Sequence, residues 1–140
     1  SEGERRGLFG YVEQTFHRVP GTVKDQIALF DERISMDDVR RAAALAGLSD
    51  VIDRMPDGYD TVCAPELFSQ GQWQLLSIAR AAAANPKILL LDEITAKLDA
   101  ETESTVLQAL KRVSEERTVI SISHRVTANT GRIIPIESLN

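Results

Sequence analysis

Ile88-Leu89-Leu90-Leu91-Asp92-Glu93 is a continuous apolar run that ends in two acids. Apolar residues without alternation suit a strand buried on both faces, as in the parallel sheet of an α/β protein. Two carboxylates at the end of such a strand are costly unless they are solvated, paired or bound to a metal. A strand running out into a polar loop looks the same, so the pair needs its context. Upstream, Ser69 and Gln72 have the spacing of a capping box. Leu75, Leu76, Ile78, Ala79 and Ala82 mark the buried side of the helix that follows, which is expected to reach Asn85 and stop at Pro86. Downstream, Asp99 or Ala100 begins another helix, with Glu101 and Glu103 near its positive end and Lys111 and Arg112 near its negative end. Val106, Leu107, Leu110 and Val113 are its expected core face. Residues 118–123 and 132–136 read as two more strands, the last an edge because of Pro135.

Strand, helix, strand, strand is the order of an open α/β sheet. Toward the amino end, Gly10-Tyr11-Val12 reads as a short strand ending at Glu13-Gln14. Thr22, with Asp25 three residues on, caps a short helix, and Ser35 opens a clearer one that Gly47 stops. Pro56-Asp57-Gly58 is a turn. Residues 22–85 are therefore expected to form a mainly helical lobe, and residues 8–14 and 86–140 the remainder of the α/β core. Ligands of open sheets bind beyond the carboxyl ends of the strands. Asp92, Glu93 and His124 all fall there.

Size and composition narrow the classes. A chain of 140 residues suffices for one domain with a core. At 43% hydrophobic and 26% charged residues it is an ordinary globular composition, neither disordered nor fibrous. A net charge of −5 without a long Lys/Arg cluster argues against electrostatic binding of nucleic acid. No apolar run approaches the roughly 20 residues that span a bilayer, and residues 1–6 lack the apolar segment of a secretory signal. Cys63 is the only cysteine, so no internal disulfide forms.

Several residues can carry chemistry. One carboxylate of Asp92-Glu93 can hold Mg²⁺ while its neighbour polarises an attacking water. His124 can donate a hydrogen bond to a γ-phosphate, and the Gln14 amide can position water or a metal. Phe68-Ser69-Gln70-Gly71-Gln72 opens a helix, whose free N–H groups suit phosphate, and Gly71 lets a ligand approach the backbone closely. Each is weak alone: a lone histidine is more often structural, and a capping box with a glycine is common.

Their order is not weak. Tyr11-Val12-Glu13-Gln14, Pro56-Asp57-Gly58-Tyr59-Asp60-Thr61, Phe68-Ser69-Gln70-Gly71-Gln72, Ile78-Ala79-Arg80-Ala81, Leu89-Leu90-Leu91-Asp92-Glu93, Leu98-Asp99 and Ser123-His124-Arg125 follow one another. Together they resemble the nucleotide-binding domain of ABC ATPases from its glutamine loop to its histidine switch. The resemblance implies part of a P-loop NTPase core sheet with an inserted, mainly helical subdomain, and ATP with Mg²⁺ as ligands. It implies that Gln14 senses the metal, Asp92 helps hold it, Glu93 is the catalytic base and His124 lies near the γ-phosphate. Ser69, Gly71 and Gln72 match the signature motif, which closes on ATP held by a second nucleotide-binding domain, in a homodimer or a heterodimer. Asp99 matches the aspartate at that dimer interface.

The wording of residues 56–61 resembles the exporter branch, which implies a transmembrane partner and the cytoplasmic face of the cell membrane, while these 140 residues themselves are expected to be soluble. Departures are equally plain. Gln70 stands where the signature usually has a glycine, Ala96-Lys97 replace small residues, and Cys63-Ala64-Pro65-Glu66-Leu67 differs from the family's Gly-Glu-Arg-Gly loop toward the membrane domains. No glycine is followed by lysine, so the family's phosphate-binding loop does not occur in these residues and they are expected to be inactive alone. A soluble ABC ATPase working on nucleic acid or the ribosome, and a non-enzymatic interaction piece, are the alternative readings. The transported substrate is not written in this sequence.

Overall fold

The computed structural model describes residues 7–13, 15–92, 99–115 and 117–122. The elements are β1 (Phe9–Val12), α1 (Val23–Ala28), α2 (Met36–Ala46), α3 (Ser49–Asp53), a 3₁₀ turn (Gly58–Asp60), α4 (Gln70–Ala83), β2 (Ile88–Asp92), α5 (Ala100–Ser114) and β3 (Thr118–Ile122). The three strands form one parallel sheet in the order β1-β2-β3. Tyr11 pairs with Leu90, and Leu90 with Ile120, which puts these side chains on one face. Gly10, Val12 and Leu89 lie on the other, toward the helices.

Local chemistry starts most of the helices. Thr22, Ser35 and Ser69 each close a full capping box, with Asp25, Asp38 and Gln72 respectively. Asp99 caps α5 by accepting from Thr102 N at 2.8 Å. Gly47 ends α2 at φ 80°, a left-handed turn in which its N–H satisfies carbonyls of Ala43 and Ala44. Helix α4 ends at Ala83, two residues short of the expected Asn85. Pro86 disfavours the helical conformation at Asn85, which instead takes φ 50° and accepts from Arg117 at 2.6 Å.

Helix α4 is the centre of the core, packed on α1, α2, α5 and β1. Leu76, Ile78, Ala79 and Ala82 on it are fully buried. Its alanines let it approach β1 so closely that a β-carbon at Gly10 would stand 2.9 Å from Ala81 O and 2.8 Å from Pro86 Cγ. Truncating Leu76 to alanine at such a site costs about 2–5 kcal/mol.

Two further expectations change. Leu107 was expected in the core of α5 and is 47% exposed, while Ala109 is buried beside Val106, Leu110 and Val113. The stripe is narrower than the apolar residues available, and Leu107 falls at its flank. The run 88–91 is not buried on both faces: only Leu89 is fully covered, because the described helices pack on one side of the sheet. Helix α3 has no side-chain cap and carries no sequence signal of its own; the burial of Leu48 and Ile52 holds it. The expected strand at 132–136 lies outside the described residues.

Candidate nucleotide site

Asp92 is the last residue of the central strand, half-buried at its carboxyl end. Its Oδ2 accepts a hydrogen bond from the Tyr11 hydroxyl at 3.1 Å. That bond, with some burial and the charge of Asp92 itself, raises the phenol above its ordinary pKa. No cluster of three metal-ligating side chains occurs among the described residues. A lone strand-end carboxylate suits Mg²⁺, which takes one or two carboxylates and completes its octahedron with water and phosphate oxygens, better than it suits zinc. Gln14, Glu93 and His124, the other residues expected around it, lie outside the described residues.

The second group is at the start of α4. Ser69 Oγ accepts from Gln72 N at 3.1 Å, and the Gln72 side chain returns to accept from Ser69 N at 3.0 Å. Ser69 keeps its hydroxyl proton for a further acceptor, while Gln72 Oε1 is occupied by the cap. Gly71 is less open than its sequence suggests, since a β-carbon there would run into Thr102 Cγ2. Thr102 also donates to both carboxylate oxygens of Asp99, from its N–H at 2.8 Å and its hydroxyl at 3.0 Å. These bonds hold the Asp99 carboxyl below the usual range. The structure thus brings the starts of α4 and α5 together, and with them Ser69, Gly71, Gln72 and Asp99.

Glu13 and His17 are each fastened to α4 by their backbone carbonyls. The buried Gln74 amide donates to Glu13 O at 3.1 Å, and Arg80 Nη1 donates to His17 O at 2.9 Å. The Arg80 guanidinium sits 4.1 Å from the centre of the Phe16 ring. Phe16 stacks on Trp73 at 5.3 Å, and Phe68 meets Trp73 edge-on at 5.0 Å. Fully buried Gln26 joins this knot: its side chain pairs with both backbone groups of Val19, and its carbonyl accepts from Arg80 Nε at 2.6 Å. Sequence reading passed over Trp73, Gln74 and Gln26. The available signal was two polar amides within otherwise buried helical faces.

The capped start of α4, the strand-end aspartate and the parallel sheet belong to one mixed α/β fold. Residues 1–96 match the family model described as ABC transporter. This chain belongs to that family. It is 42% identical over 135 residues to ABC transporter B family member 1 of Dictyostelium discoideum, covering 92% of this chain and 15% of that protein. It is 45% identical over 118 residues to the mycobactin import ATP-binding/permease protein IrtA of Mycolicibacterium smegmatis, covering 84% of this chain and 14% of that protein. Among solved structures it resembles a bacterial Atm1-family ABC exporter with ATP bound, at TM-score 0.71 and 37% identity, over 87% of this chain and 22% of that one. The chain therefore spans a minor part of the proteins it matches.

Proposed function

We propose that this chain is the signature-bearing part of an ABC exporter's nucleotide-binding domain, hydrolysing ATP to drive transport when joined to the rest of that domain. Residues 22–85 serve as the helical signature subdomain, and residues 8–14 and 86–140 as the remainder of the α/β core. The observation that carries the reading is the contact of Gly71 with Thr102, which sets the capped start of α4 beside the capped start of α5. In this arrangement one surface offers Ser69, Gly71 and Gln72 to ATP held by a second nucleotide-binding domain, with Asp99 at the joint.

On the chain's own ATP, Asp92 and Gln14 would hold Mg²⁺, which when bound would neutralise charge on the phosphates. Glu93 accepts the proton of the attacking water, and His124 donates a hydrogen bond to the γ-phosphate as its bond to the β-phosphate breaks. The phosphate cradle comes from chain outside these 140 residues, because Gly-x-x-x-x-Gly-Lys is not among them. Alone they hydrolyse ATP negligibly. No helix among the described residues is long and apolar enough to cross a membrane. The relatives that join an ATP-binding part to a permease support a transmembrane partner that supplies the path and chooses what is moved. The assembly works at the cytoplasmic face of the cell membrane.

Glu93→Gln in the full-length protein tests this. Nucleotide affinity by calorimetry should be retained, and phosphate release should nearly vanish, because the base is lost while size and polarity remain. Turnover at the wild-type rate would reduce Glu93 to a strand-end acid and remove the reading.

A further inference from the structure

Tyr11 and Asp92 stand on the same face of the sheet, on adjacent parallel strands. Tyr11 pairs with Leu90, so Asp92 is two residues further along β2. That diagonal is about 7 Å, within the span of an aromatic side chain and beyond that of serine or threonine. The phenol closes it with a hydrogen bond of 3.1 Å to Oδ2. Among the described residues this is the only side chain bonded to Asp92, and it engages one of the two carboxylate oxygens.

We propose that Tyr11 is a positioning residue for the metal of the ATP site: by occupying Oδ2 it makes Asp92 a one-oxygen ligand and biases the site toward a small octahedral cation over a larger one. A carboxylate with both oxygens available can clasp Ca²⁺, which accepts bidentate ligands at long and variable distances. A carboxylate with one oxygen engaged presents the other at a set angle, as Mg²⁺ requires with its near-ideal octahedron. The phenol does not touch the reacting atoms. It acts through Asp92, and so the inference rests on Asp92 being a metal ligand.

The test is metal binding to the full-length protein with a non-hydrolysable ATP analogue, read by the electron paramagnetic resonance of Mn²⁺ and by competition with Mg²⁺ and Ca²⁺. Tyr11→Phe keeps the half-exposed ring and removes only the hydroxyl. It should weaken Mn²⁺ binding about 10- to 100-fold, the usual effect of losing a partner that orients a metal ligand, and narrow the preference for Mg²⁺ over Ca²⁺. General misfolding would weaken both competitors alike, so the change in their ratio identifies positioning. An unchanged Mg²⁺/Ca²⁺ ratio in Tyr11→Phe, with Asp92→Asn losing Mn²⁺, would overturn the role of Tyr11 and leave the function standing. Full Mn²⁺ binding in Asp92→Asn would overturn both.

Discussion

The Cα of Gly71 lies against the methyl group of Thr102, and a β-carbon at position 71 would run into it. A glycine two residues into a helix next to a candidate phosphate site suggests room for a ligand. In this chain the room is already taken on one side by α5. The glycine is thus required by packing within the chain, whatever it does for nucleotide.

Those two uses separate by experiment. Gly71→Ala should destabilise the protein by about 1–3 kcal/mol, the usual cost of overpacking a close contact. Thr102→Ser removes the methyl while keeping the hydroxyl that bonds Asp99. In that background Gly71→Ala should be neutral or slightly stabilising, since alanine favours the helix. If close approach of a ligand also matters, ATP-driven dimerisation of the full-length double variant stays impaired. Recovery of both stability and dimerisation would make Gly71 a packing residue only.

Ser69 has a similar double part. Ser69→Ala removes the acceptor for Gln72 N and should lower stability by about 0.5–2 kcal/mol in thermal or urea unfolding. Ser69→Asp keeps an acceptor there and should leave the melting temperature nearly unchanged. It also loses the hydroxyl proton and sets a negative charge against the γ-phosphate, so ATP-driven closure of the full-length dimer should fail. Normal closure with Ser69→Asp would mean that Ser69 is a cap and nothing more.

The cap at α5 titrates. Hydrogen bonds from Thr102 N and Oγ depress the folded pKa of Asp99 below its model-compound value of 3.8. A carboxyl depressed on folding contributes stability above its unfolded pKa and loses it as pH falls through the folded value. Asp99→Asn caps the helix without titrating. The melting temperature of the wild type minus that of Asp99→Asn should therefore be constant near neutrality and fall as pH drops below about 4. A difference that does not change across that range would show that the Asp99 bonds are not formed in solution. Asp38, depressed by its bonds to Ser35, acts in the same direction but is common to both proteins and cancels.

What the sequence by itself determined lies within about four residues along the chain. Ser69 with Gln72, Thr22 with Asp25 and Asp99 ahead of Ala100 were legible as helix starts, because a cap is made by the same stretch of backbone that it terminates. The order of short motifs ending in Asp92-Glu93 and Ser123-His124-Arg125 was legible too, since it depends on residue identity alone. Only the tertiary structure decided which of these meet. Tyr11 reaches Asp92 across 81 residues because parallel register sets it opposite Leu90. Gln74 reaches Glu13 O because α4 crosses β1 at the distance that Gly10 and the alanines allow. The periodicity of α5 admitted Leu107 to the core, and packing against α2 and α4 left it outside. Register, crossing distance and helix rotation are properties of two elements at once, and neither element's sequence contains them.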